Sequence, residues 1–282
     1  MSRETEKAIR EMQKFIEGYN NNLPECVTEK TAKTADDFLE LAEYAEDVAS
    51  ELKYARKALK LDPDNLDAER IVVENSSKDI LDMVKKLRKA VEHGTKVMKK
   101  EGWLDEENIG HFWGLIETRP YMRLRHSYMT ALLDCGMIGR AMEECEEMIR
   151  LCENDNIGVR YILMHIYAML EEETKALELH KHYDEYEETQ MLLPLSVLYF
   201  KKENFDEASK HLKRLAKANK DTRKFFKGIL EDNLDRYARE MNHFGYQPFT
   251  IEELMTEFFE NSFLFTSVPA YIQWAYNELK KK

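Results

Sequence analysis

A chain of 282 residues, 43% hydrophobic and 34% charged, can bury a sizeable core and is too evenly apolar to be disordered. Its 10 glycines and 6 prolines are too few for the many tight turns of an all-β protein, which leaves helices joined by short loops. A formal net charge of −12 repels phosphate backbones and argues against nucleic acid as a partner.

Residues 1–31 read as an amphipathic helix with Ile9, Met12, Ile16 and Tyr19 on one side, followed by a linker that begins at "NNNLPE". The opening "MSRETEKAIREMQKF" lacks the apolar stretch of a signal peptide, and no apolar run is long enough for a bilayer. Cys26, Cys135, Cys145 and Cys152 form no C-x-x-C pair. Cys135 and Cys145 sit in apolar helical contexts and read as small buried hydrophobes. The expectation is a cytoplasmic, reduced protein with no membrane segment, metal or cofactor.

A single helical-repeat domain is expected over 32–282. Its first repeat, about 32–65, ends at "KALKLDPDN", where Pro63 stops the helix. A helical insert over 66–119 follows. Within it Ile80, Met83, Val84, Leu87 and Val91 recur at helical intervals, with Ser76 or Ser77 as the cap. The lysines and arginine between Lys85 and Lys100 read as a solvated face.

The stretch "GHFWGLIETRPYMRLRH" (Gly110 to His126) breaks this rhythm. Pro120 belongs in the first turn of a helix, with Thr118 or Arg119 at the cap and the end near Gly136. Repeats are then expected over about 120–221. Their second helices place Ala141, Ala176 and Ala208 at aligned positions, 35 and 32 residues apart. These spacings bracket the roughly 34-residue period of tetratricopeptide repeats, antiparallel helix pairs stacked into a superhelix. Capping helices over 222–282 would close the stack. Two are read in "FTIEELMTEFFENSFLFTSVPAYIQWAYNELKKK", the first opening on a Thr250–Glu253 capping box.

The blocks "GHFWGLIETRPYMRLR", "MIRLCENDNIGVRYILM" and "KALKLDPDNLDAE", with the closing "ENSFLFTSVPAYIQWAYNEL", resemble the suppressor-of-tumorigenicity (type seven) family of tetratricopeptide proteins and its soluble microbial relatives. The resemblance implies an all-α right-handed superhelix and a scaffold without agreed enzymatic activity. Animal members carry membrane segments, and the chain departs from them in having none. The resemblance supplies no functional residues, so the candidate site rests on the sequence itself.

Arg119, Arg123, His126 and Thr130 fall on one helical face. Tetratricopeptide arrays line their groove with the first helix of each repeat. Peptide-binding arrays place Lys and Asn there, four residues apart, to clamp a terminal carboxylate. The aligned positions hold His126 and Thr130, then Tyr161 and His165, so that clamp is missing. Arg123, His126, Thr130, Arg160, Tyr161 and His165 would instead form a basic and aromatic groove suited to an acidic or aromatic peptide segment.

Trp113, Glu117 and Arg119 read as a structural joint between insert and repeat, with Arg119 or Arg123 pairing with Glu117 or Asp134. The alternative gathers His111, Glu117, Arg119 and His126 around a small-ligand or catalytic pocket. His180 reads as a core histidine, and Glu143, Glu144, Glu146 and Glu147 as a solvated face. The expected partner is a protein or peptide. The expected state is a monomer or a weak homodimer, the latter through Phe258, Phe259, Phe263, Phe265 and Trp274.

Overall fold

The computed structural model describes residues 27–240 and 245–281, so the expected helix over Ile9 to Tyr19 lies outside the described residues. Among these there are fifteen helices and no strand: the chain is all-α and helical-repeat-like. It divides into two compact units, Met1–Lys78 and Asp79–Lys282, a boundary that falls inside the expected insert.

The first unit holds α1 (Ala35–Glu43), α2 (Val48–Leu61) and α3 (Leu66–Ser76). A capping box starts α1: Thr34 Oγ1 accepts from the Asp37 N–H at 3.1 Å, and the Asp37 carboxylate accepts from the Thr34 N–H at 2.9 Å. The core is small, Ala42, Ala55 and Ile71 with Leu39, Tyr54 and Val72 around it. The alanines let neighbouring helices approach closely.

The second unit opens with α4 (Ile80–Lys100). Its cap is Asp79, which accepts from the Asp82 N–H at 2.8 Å, and not the expected serines. The Ser76 and Ser77 hydroxyls instead donate back to the carbonyls of Val72 and Val73, four residues earlier, and so finish α3. After α4, residues 101–118 form turns and no helix, so the insert is helical only in part.

Three helix pairs follow: α5 (Arg119–Asp134) with α6 (Ile138–Leu151), α7 (Val159–Leu170) with α8 (Glu173–His182), and α9 (Thr189–Lys201) with α10 (Phe205–Ala218). Short connections between helices in contact make each pair antiparallel. Gly136 turns the first pair with φ +70°, which a β-carbon disfavours. Ala141, Ala176 and Ala208 are all fully buried, each on the second helix of its pair. Every residue of α9 from Thr189 to Tyr199 is buried, so "TQMLLPLSVLY" is a central helix enclosed on all sides.

The acidic run on α6 is not the solvated face expected. Glu144 accepts from Arg125 of α5 at 2.7 Å, and Glu146 accepts from Tyr167 of α7 at 2.9 Å and Lys175 of α8 at 2.8 Å. The glutamates join three helices to α6 because their partners project from neighbours the linear sequence does not reveal. Cys145 is fully buried as expected and Cys152 nearly so, whereas Cys135 is only half-buried. His180 is a core residue, its Nε2 3.1 Å from the Tyr186 carbonyl.

The end of the chain contributes α11 (Thr222–Leu230), α12 (Leu234–Glu240), α13 (Ile251–Glu260), α14 (Ser262–Ser267) and α15 (Ala270–Glu278). The stretch read as two helices is three, because Asn261 and Pro269 interrupt it. These helices do more than cover the last pair. α14 packs on α7, α13 reaches α9, and α15 lies on α10 and α11.

Candidate functional site

The local structure of "NDNIGVRY" sets the start of α7. Gly158 adopts φ +80°, and the buried Asp155 carboxylate accepts from the N–H groups of Val159 and Arg160 at 2.8 and 2.9 Å. Arg160 turns onto the same carboxylate at 3.2 Å, and its guanidinium lies over the rings of Tyr161 and Tyr183. A guanidinium held by one carboxylate and two aromatic faces is committed to the loop. Arg160 therefore does not line the groove. Tyr161 does, with its hydroxyl donating to Glu188 at 3.0 Å.

His126 and Thr130 of α5 and Tyr161 of α7 share one wall of a cleft of about 570 Å³. Arg123 is half-buried on α5 and is not on that wall. His165, one turn beyond Tyr161, is completely buried. Its Nδ1 lies 2.8 Å from the Tyr161 carbonyl, so Nδ1 carries the proton and Nε2 is left as a bare acceptor. The Phe265 ring of α14 packs edge-on against the imidazole at 6.2 Å. The expected groove over α7 is thus filled by the chain's own C-terminal helices.

Those helices supply the opposite wall, which the sequence reading missed. Glu257, Glu260 and Asn261 face the cleft from α13 and its end, joined by Tyr246 from the loop before it and Gln190 from α9. Glu253, Glu257 and Asn261 recur every four residues as a buried polar stripe between Leu254, Met255 and Phe258, and that stripe was the available signal.

Glu253 anchors α13. Its Oε2 accepts from Thr189 Oγ1 at 2.5 Å and from the Phe249 N–H at 2.9 Å. The Thr250 hydroxyl accepts from the Glu252 N–H, so the expected Thr250–Glu253 box is replaced by a related arrangement shifted by one residue at each end.

Glu257 is the unusual group. It is 5% exposed, accepts from Asn261 Nδ2 at 3.3 Å, and lies 3.8 Å from the unpartnered His165 Nε2, beyond hydrogen-bond reach. Burial, reinforced by the nearby Glu260 and Glu253, pushes its pKa up to about 8. Burial also pushes His165 down to about 4. At neutral pH the pair is therefore mainly a neutral acid beside a neutral imidazole. With Asp134 and Glu260 at the cleft as well, the site concentrates three carboxyl groups beside Tyr161 and Tyr246. Such a surface suits a cation, whose entry would favour ionised Glu257.

The remaining expected site residues lie elsewhere. Phe112, not Trp113, is the fully buried aromatic of "GHFWG". Its N–H donates to the Leu151 carbonyl at 3.0 Å, the Glu153 N–H donates to the Gly110 carbonyl at 3.0 Å, and His111 and Cys152 form an isolated bridge. The loop is so docked on the end of α6. Arg119 donates to the Trp113 carbonyl at 2.8 Å and lies over its ring, in place of the expected partners Glu117 and Asp134. Glu117 and His111 are exposed, and of the alternative set of His111, Glu117, Arg119 and His126 it is His126 that lines the cleft. Among the described residues no group of three His, Cys, Asp or Glu could hold a metal. Phe265 is buried, and Phe258 packs on Phe225 and Phe265; Phe259 is exposed.

Fold and site together define an all-α, helical-repeat-like protein whose C-terminal helices enclose an acidic, aromatic cleft. No family model matches the chain, and no curated protein matches it. No helix of the described residues is long and apolar enough to cross a membrane.

Proposed function

We propose that the chain is a noncatalytic interaction scaffold that holds a peptide or protein segment in the cleft between α5, α7 and α13. The segment presents a lysine or arginine to Glu257, Glu260 and Asp134. The observation that carries this reading is the buried Glu257, desolvated at the cleft without a cationic partner. A partner's cation would offset that desolvation, and Tyr161 and Tyr246 line the cleft beside its alkyl stem. The volume lies in the range of pockets that take a side chain with part of its backbone. This reverses the acidic partner expected from Arg123 and Arg160.

The same proposal places the chain with tetratricopeptide proteins resembling the suppressor-of-tumorigenicity (type seven) family, its pairs wound into a right-handed superhelix and working in the cytoplasm. The fully buried Ala141, Ala176 and Ala208 support it.

The test is capture from a synthetic peptide library with Lys, Arg, Glu or Ala fixed at a central position, using wild type and Glu260→Lys. Glu260 is exposed, so its reversal spares the core. Retention of Lys and Arg peptides by wild type, and their loss from the variant, is the expected result. No retention of Lys and Arg peptides by wild type, or their undiminished retention by Glu260→Lys, would refute the reading.

A further inference from the structure

A second cleft, of about 800 Å³, lies between α10 and α15 and shares no residue with the first. Its charge is opposite in sign. Lys210, Lys213, Arg214 and Lys217 of α10 recur at intervals of three, one and three, which places them on one face, and Lys281 joins them from beyond α15. Asp206 and Glu278 are the carboxylates on its walls, and Glu207 and Glu187 pair from beside it with Lys210 and Arg214, on a chain of net charge −12.

These cations are more than a solvated helix face. Glu278 is 8% exposed, and its Oε1 accepts from Ser209 Oγ at 2.8 Å. The same carboxylate holds Lys281 directly and lies 3.7 Å from Lys213 Nζ, so two ammonium groups are positioned by one buried anchor. Arg214 is held at 3.1 Å by Glu187, whereas Lys217 is exposed. Beside this row Trp274 and Phe205 form an aromatic wall. Trp274 is backed by Phe200 at 5.1 Å and Tyr271 at 5.7 Å, and Phe205 is 48% exposed. A supported indole next to an exposed ring and positioned ammonium groups gives one apolar anchor point with a basic rim.

We propose that this cleft binds an acidic peptide segment with an aromatic or aliphatic anchor residue, the anchor against Trp274 and Phe205 and the carboxylates on the lysine row. A nucleic acid fits less well. Glu278 and Asp206 interrupt the positive lane that successive phosphates need.

The test is fluorescence polarisation of a labelled Glu-Glu-Phe-Glu-Glu peptide against the full chain, with Lys-Lys-Phe-Lys-Lys, inorganic phosphate and a single-stranded oligonucleotide as competitors. Saturable binding that weakens with salt is expected, and the double reversal Lys210→Glu/Lys217→Glu is expected to lower affinity about tenfold or more. Lys210→Gln/Lys217→Gln, which adds no negative charge, provides a second variant if the reversal does not fold, and is expected to show a smaller loss. Glu260→Lys, on the other cleft, is expected to leave this binding unchanged. No saturable binding by wild type, affinity unchanged in both lysine variants, or displacement by phosphate or oligonucleotide in preference to the peptide would each overturn the proposal.

Discussion

Replacing Glu257 by Gln should stabilise the protein, and only at high pH. The amide keeps the shape of the side chain and an oxygen for Asn261 Nδ2, but cannot ionise. In wild type the folded-state pKa is raised from 4.5 to about 8, so the native state binds more protons than the unfolded chain across that interval. Wild-type stability from this group is therefore fully present below pH 4.5 and is lost as pH rises through about 8. At roughly 1.4 kcal/mol per unit, the full shift sets an upper bound of about 5 kcal/mol. Water entering the cleft raises the local dielectric and reduces that to about 2–3 kcal/mol. The assay is thermal unfolding of both proteins at pH 4.5 and pH 8.5. Glu257→Gln is expected to match wild type at the lower pH and to melt about 5 °C or more above it at the higher. An equal difference at both values, or a variant less stable at pH 8.5, would show that Glu257 is not a desolvated acid facing Glu253, Glu260 and His165.

Arg125 is 8% exposed and paired with Glu144, so Arg125→Met should cost about 2–3 kcal/mol in urea unfolding, and Arg125→Met/Glu144→Met should recover most of it. Phe112→Ala should cost about 3–4 kcal/mol and Trp113→Ala less than half as much, because only Phe112 is fully buried; similar losses would move the anchor of the joint to Trp113. Gly136→Ala should cost about 1 kcal/mol through its φ of +70° alone, since a β-carbon there meets nothing within 4 Å; a neutral result in urea unfolding would mean that the turn relaxes.

The helix pairs were legible because their signals are local. Ala141, Ala176 and Ala208 mark close approaches, and Gly136 marks a turn. Three residues of the expected groove, His126, Thr130 and Tyr161, do share a wall. The charge of that wall was not legible. Arg160 looks available in the sequence, but its partners are Asp155 in the preceding loop and Tyr183 at the end of α8, and only folding brings them together. The glutamates of α6 were misread for the same reason. The caps of α3 and α4 show a finer ambiguity: Ser76, Ser77 and Asp79 are all good capping residues, and the competition was decided by serine hydroxyls bonding backwards while the carboxylate accepted forwards.

The larger omission was where the C-terminal helices go. An amphipathic pattern says that a helix has a face to bury and is silent on its partner. Leu254, Met255, Leu264 and Phe265 are at most 3% exposed, and their burial offsets the cost of taking Glu253, Glu257 and the intervening Asn261 out of water. Had end-capping been the whole role of this segment, apolar residues at Glu257 and Asn261 would have served it better, because Glu257 gains no cation and His165 Nε2 gains no donor. The polar stripe lies where α13 faces α5 and α7. By closing over α7, this segment forms a cleft whose wall carries Glu257, held by Asn261, and Glu260. On the proposed reading a cationic side chain pairs with the desolvated carboxyl at this wall, and the volume of about 570 Å³ limits how much chain can enter.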